Sequence, residues 1–374
     1  MDCVYFYGDV SAFISRLSPS QNCSVMKPYK SVYQNIALLI GSAIFFMLIL
    51  FVIGELYLGA KYAKEHERLI SKMARMESGL CFTHSSNPTL IYTFIPNNTN
   101  NNCHINSNGY RDYEYNQQKD AKTFRVIIIG DSVAQGYGVP LEETFGKVLE
   151  RRLNDPQDHA PYKVEVIVLA RSGYSTNQEL ILLENEAFGY SPDLIVWSYT
   201  LNDPADPLFH NANGELGTYF YKPTFHTLHW IKRQIFVANE KSKRKDCEKE
   251  YHEMLHCVYW KQVALHVARI GEVAKKKGIP VIFLIHPVFQ KERHFKEYSL
   301  TSLHLKLGDL ATNAGLIVVD ALDVYKNYHS DELRQQVEGG YDPWHPNAKG
   351  HMITADYLYE KIKQGRYIEN KSEK

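Results

Sequence analysis

From Ile36 to Ile53 the chain reads IALLIGSAIFFMLILFVI, eighteen residues without a charge. As a helix this run rises about 27 Å, enough to cross a hydrocarbon core with modest help from its flanks. Tyr29 and Tyr33 precede it and Tyr57 and Tyr62 follow it, where amphipathic rings settle at the two interfaces of a bilayer. A buried core helix and a cleaved signal peptide are the alternatives. The run starts later and is longer than a signal peptide requires, and no clear small-residue cleavage site follows it. A mean hydropathy of -0.34 excludes many spans and allows one. One transmembrane helix is therefore expected over residues 35–58, after an N-terminal segment of residues 1–34.

The sequence argues both ways about orientation. Arg16, Lys27 and Lys30 precede the span, whereas Lys61, Lys64, Arg68, Lys72 and Arg75 follow it, and a positive-inside count keeps the C-terminal part in the cytoplasm. Those later charges lie on ELYLGAKYAKEHERLISKMARM, which continues as an amphipathic helix. The cysteines favour the opposite side. They form the sequence-local couples Cys3 with Cys23, Cys81 with Cys103, and Cys247 with Cys257, a pattern that suits disulfides in an oxidising compartment. The span separates the first couple from the others, so all three cannot form, and unpaired buried thiols remain the alternative. Over the whole chain 42 basic residues cancel 42 acidic ones, so no overall field draws it to nucleic acid.

Residues 80–120 lack regular periodicity, are rich in Asn, and read as an extended lead-in over the surface. The pattern then changes. FRVIII (124–129), VEVIVL (164–169), DLIVWSY (193–199), IPVIFLI (279–285) and LIVVDA (316–321) are short, β-branched runs, as strands buried on both faces should be. Helical stretches at 141–153, 177–188, 260–278, 298–315 and 347–363 alternate with them. That alternation predicts an α/β fold, a three-layer α/β/α sandwich around a mostly parallel five-stranded sheet. Chemistry in such a sheet belongs at the carboxyl ends of its strands. Residues 204–259 interrupt the alternation with seven aromatic residues and then NEKSKRKDCEKE, an insertion that reads as a lid or as a solvated excursion.

The first strand ends in Gly130-Asp131-Ser132, which puts a serine at the sheet's carboxyl edge. There a following helix N-terminus directs N–H groups at a developing anion. A serine hydroxyl needs a base. The best candidate is in YDPWHPNAKGH, where Asp342 and His345 lie three residues apart; Pro343 and Pro346 disfavour helix, and a compact loop lets the carboxylate hold the imidazole from behind. Gly173 after the second strand offers an unobstructed backbone N–H, and Asn202 after the third offers an amide donor. Competing sites are weaker: Ser175 in GYSTN lacks the last glycine of a nucleophile elbow, and His286 reads as a satisfied structural histidine. No compact histidine or cysteine ligand pair stands out, so no metal is expected.

Taken in order and spacing, GDS at 130–132, Gly173, Asn202 and D-x-x-H at 342–345 resemble the four blocks of the SGNH (GDSL-like) hydrolase superfamily. INSNGYRD at 105–112 and GVPLEETF at 138–145 resemble its membrane-anchored bacterial members in particular. The resemblance implies a flavodoxin-like sheet, ester hydrolysis without cofactor, Ser132 as nucleophile, His345 as base and Asp342 orienting it. It also implies an oxyanion hole from the N–H groups of Ser132 and Gly173 with the side chain of Asn202. Two blocks depart from the family pattern: Thr200 replaces the usual glycine of the third block, and Val168 and Arg171 replace the Asn and small residue of the second. The expected molecule is a single-pass membrane-anchored serine esterase with an extracytoplasmic catalytic domain at 121–365, a lead-in at 59–120 and a tail at 366–374. Its expected partners are a small-molecule, glycan or lipid ester substrate and the membrane, with no nucleic acid. An O-acyltransferase of envelope glycans, a lipid acyl hydrolase and a non-catalytic binding module are the rival functions.

Overall fold

The computed structural model describes residues 29–73, 81–99, 103–158, 162–204, 221, 223–247, 249–289, 294–337, 340–369 and 371. In chain order its elements are α1 (Tyr29–Met73), β1 (Phe82–His84), β2 (Tyr92–Phe94), β3 (Thr123–Gly130), α2 (Ser132–Gln135), α3 (Phe145–Leu153), β4 (Lys163–Ala170) and α4 (Thr176–Asn185). These are followed by β5 (Leu194–Tyr199), α5 (His226–Lys245), α6 (Tyr251–Lys277), β6 (Val281–Ile285), α7 (Thr301–Asn313), β7 (Ile317–Asp320), α8 (Leu322–Tyr325), α9 (Ser330–Leu333), β8 (Arg334–Val337), β9 (Gly340–Pro346) and α10 (Ala348–Gln364).

The chain divides into two compact units, Met1–Leu56 and Tyr57–Lys374. In the first, the apolar run is helical and uncovered: Leu38, Phe45 and Leu50 are 71%, 61% and 66% exposed. A core helix of a water-soluble domain would bury these side chains, each worth about 1.5–3 kcal/mol when covered. The helix is long and apolar enough to cross a membrane. The N-terminal segment through residue 28, and with it the Cys3–Cys23 couple, lies outside the described residues.

The second unit holds the sheet. Its strands run parallel in the order β4-β3-β5-β6-β7, the doubly wound order in which the chain starts in the middle, adds one neighbour, then crosses to build the other side. All eight residues of β3 and all six of β5 are buried, which is why both read as unbroken apolar runs rather than alternating ones. On the helical layers α3 packs with α10, while α4, α6 and α7 pack together. The five strands and the α/β/α class are therefore as the sequence predicts.

Three local expectations differ. The lead-in is not draped over the surface: β1 and β2 pair antiparallel with Phe82 opposite Phe94, and those rings stack at 4.6 Å. With Tyr92, Ile105 and the Cys81–Cys103 disulfide they form a small core that also takes in Tyr174 and Leu182. Part of the 204–259 insertion belongs to regular structure. The crossover helix α6 starts at Tyr251, not Trp260, because the Glu250 side chain caps it by accepting the His252 N–H at 2.8 Å. Its buried positions Leu255, Tyr259, Val263, Val267 and Ile270 then continue one apolar stripe. A second disulfide, Cys247–Cys257, ties the end of α5 to α6, while residues 205–220 lie outside the described part. Finally, the D-x-x-H segment is not an irregular loop but strand β9, paired with β8. A two-stranded ribbon has free edges and tolerates Pro343 and Pro346 there.

Candidate active site

Gly130 ends β3 where the backbone must pass close to its neighbours: a Cβ at that position would stand 2.8 Å from both the Ala134 Cβ and the Ser198 carbonyl oxygen. Only glycine fits, and the chain then turns into α2 at Ser132. The helix expected at Ser132 is a single turn of four residues. Asp131 caps it, its Oδ1 accepting the Val133 N–H at 2.9 Å, and Gly136 closes it with φ 77°. So short a helix carries little macrodipole, and any anion at Ser132 must rely on individual donors.

Strand β9 brings the partners. Ser132 Oγ lies 2.9 Å from His345 Nε2, and His345 Nδ1 lies 2.7 Å from Asp342 Oδ2. The other Asp342 oxygen accepts the N–H groups of Trp344 at 2.8 Å and His345 at 3.1 Å. Burial raises the Asp342 carboxyl, but the hydrogen bond and charge of His345 and these two N–H donors outweigh it and hold the group below the usual carboxylate range. The His345 ring is covered on one side by Tyr137, centroid to centroid 4.6 Å. Trp344 is flanked by His252 and Tyr251 at the start of α6.

Gly173 occupies a tight turn in which the Arg171 carbonyl accepts the Tyr174 N–H at 3.1 Å, and its φ of 78° is one that favours glycine. That turn does not consume the Gly173 N–H. It stands beside α2, since Ser172 N–H donates to Gln135 Oε1 at 2.6 Å. Asn202 is buried with Nδ2 3.5 Å from Asp131 Oδ2, and that same oxygen lies 3.2 Å from Ser132 Oγ. The five positions singled out in the sequence thus gather at the carboxyl ends of β3, β4 and β5.

Several residues around them brace the site from outside the line of Ser132, His345 and Asp342. Arg111 donates to the carbonyls of Gln135 and Gly136, each at 3.0 Å, and of Val139 at 2.7 Å, clamping the segment after Ser132. Next to it Asp112 is fully buried, pairs with Lys147 Nζ at 2.5 Å and accepts the Val168 N–H at 2.7 Å. Arg171 lies over the Tyr110 ring at 4.4 Å and so braces the lead-in. Beneath Asp131 sits Glu179, buried, its Oε2 accepting the Trp197 Nε1–H at 2.8 Å. Burial, then the charge of Asp131, push this carboxyl well above its ordinary range. The rival candidates have structural partners. His286 is buried against Ser198 Oγ at 2.9 Å and burial holds it down to about 3, while the Ser175 N–H is tied to Gln178 Oε1 at the start of α4.

The sequence pattern of the GDSL-like Lipase/Acylhydrolase family matches residues 128–353, more than half of the chain. This chain belongs to that family. The GDSL-like enzyme is accordingly an ester-hydrolysing one, with the flavodoxin-like strand order described above. No curated protein sequence matches it. Among solved structures it is similar to an alpha/beta hydrolase enzyme from the metagenome of Lake Arreo, Spain, at 16% identity over 64% of this chain and 95% of that one, TM-score 0.42. A lipolytic protein of the G-D-S-L family from Desulfitobacterium hafniense matches at 13% identity over 63% and 98%, TM-score 0.37. An acetylxylan esterase from Geobacillus stearothermophilus matches at 14% identity over 64% and 94%, TM-score 0.42. Membership rests on the matched residues of the GDSL-like enzyme and not on these neighbours.

Proposed function

We propose that the protein is a membrane-anchored serine esterase that cleaves acyl or acetyl esters through an acyl-serine intermediate, with one catalytic domain over residues 121–365. The observation that carries this reading is the line Ser132 Oγ, His345 Nε2, His345 Nδ1, Asp342 Oδ2, with contacts of 2.9 and 2.7 Å. Ser132 Oγ attacks the ester carbonyl as its proton passes to His345 Nε2. The carbonyl oxygen becomes an anion held by the N–H groups of Ser132 and Gly173 and by Asn202 Nδ2. Collapse breaks the ester bond, and Nε2 returns the proton to the leaving alcohol. Water then attacks the acyl-serine, Nε2 takes its proton, and the second collapse passes that proton to Ser132 Oγ and frees the acid. Asp342 keeps the proton on Nδ1 and stabilises the imidazolium at each step.

Ser132→Ala removes the only atom that can form the intermediate. Its kcat on p-nitrophenyl acetate is expected to fall by at least about 10³-fold with the unfolding midpoint unchanged. Wild-type turnover in this variant would sink the assignment.

A further inference from the structure

Where the family has glycine in its third block, this chain has Thr200, and the side chain stands inside the machinery just described. Thr200 Oγ1 lies 2.6 Å from Asp203 Oδ1, 2.8 Å from Asn202 Oδ1 and 3.0 Å from Asp131 Oδ2. Its backbone N–H donates to Asp203 Oδ2 at 2.6 Å. All four residues are buried.

A hydroxyl carries one proton and two lone pairs. Three acceptor oxygens around it leave unfavourable oxygen–oxygen contacts unless a neighbour brings a second proton. Burial, then the charges of Glu179 and Asp131, push the Asp203 carboxyl well above its ordinary range, so Asp203 supplies that proton. Its protonated Oδ1 donates to Thr200 Oγ1, while its carbonyl Oδ2 accepts the Thr200 N–H. The Thr200 proton is then left for Asn202 Oδ1 at 2.8 Å, the shorter contact, and is shared with Asp131 Oδ2 at 3.0 Å. An asparagine amide offers an acceptor at one end and donors at the other. With Oδ1 tied down, Nδ2 is the end left for a substrate anion, and its 3.5 Å contact with Asp131 is long enough to be given up readily.

We propose that Thr200 is a positioning residue for the oxyanion hole: anchored by Asp203, its hydroxyl holds Asn202 Oδ1 and so presents Nδ2 to the carbonyl oxygen of the ester. Glycine at this position offers no such anchor. This inference rests on the acyl-serine reading above.

The test is steady-state kinetics on p-nitrophenyl acetate with unfolding midpoints measured in parallel. Thr200→Val is expected to lower kcat by about 10–100-fold, less than the ~10²–10³ lost when an oxyanion donor is deleted outright, with KM within about threefold. Thr200→Ser keeps the hydroxyl and is expected to recover most of that loss. Thr200→Gly places no methyl against Asp131 and is expected to match the valine variant, which keeps the test decisive if valine misfolds. Wild-type kcat in both hydroxyl-free variants, or a serine variant as slow as the valine one, overturns the proposal. Turnover that persists in Ser132→Ala overturns the acyl-serine reading and this inference with it, whereas Ser132-dependent turnover indifferent to Thr200 overturns the inference alone.

Discussion

At the scale of single residues, the site sets a short catalytic line on a costly foundation. Ser132, His345 and Asp342 need only short, well-aligned contacts. Beneath them Glu179 and Asp203 place two more carboxyls in the interior, close to Asp131. A carboxyl whose folded pKa is raised binds its proton more tightly in the folded chain, so between the unfolded value near about 4 and the raised one, stability falls as pH rises. Glu179→Gln keeps an acceptor for the Trp197 N–H and removes the titration. Its unfolding midpoint is therefore expected to gain on wild type as pH rises from about 5 to about 8, each ~1 kcal/mol reading as about 2–4 °C. A pH-independent difference between the two would contradict a buried neutral Glu179. The sequence pointed to Ser132, Gly173, Asn202, Asp342 and His345 because each sits in a short motif. Glu179 was invisible there, since its place under Asp131 depends on how α4 packs against β3, and a Glu in the first turn of a helix is otherwise ordinary.

At the scale of elements, the lead-in is the part whose role changed most between sequence and structure. Its Asn-rich composition suggested a surface segment, yet the Tyr92 hydroxyl donates to the Ser172 carbonyl at 2.8 Å and the Tyr174 hydroxyl to the Tyr92 carbonyl at 2.6 Å. It thus holds the Gly173 turn from outside, while Arg111 holds the loop after Ser132. Composition averages over a hairpin of three-residue strands, too short for its period to register. Arg111→Met removes three charge-assisted hydrogen bonds from buried carbonyls. It is expected to cost about 2–4 kcal/mol of stability and to lower kcat by roughly tenfold as the nucleophile loop loosens. Calorimetry and ester kinetics that both match wild type would show the clamp to be dispensable. The five strands, by contrast, were legible to within about two residues, because β3, β4, β5 and β6 are buried on both faces and leave apolar runs. The β9 strand was not, since two prolines in seven residues argue against regular structure everywhere except in a ribbon like this one.

At the scale of the whole molecule, the charge-free run and the catalytic unit are separate statements in one chain. Eighteen uncharged residues on a helix with exposed apolar side chains predict that the intact protein stays in the membrane pellet after an alkaline carbonate wash and enters solution only with detergent; release by carbonate alone would remove the anchor from the account. The Cys81–Cys103 and Cys247–Cys257 disulfides fit an oxidising compartment, against the basic residues that follow the span. The central claim, however, is the covalent role of Ser132. Its most direct test is intact-mass and peptide analysis of the detergent-solubilised protein after treatment with a fluorophosphonate. One phosphonyl adduct on Ser132, absent from Ser132→Ala and formed at least about 100-fold more slowly in His345→Ala, is the predicted result. An unmodified protein, or an adduct that survives the loss of Ser132, would contradict it.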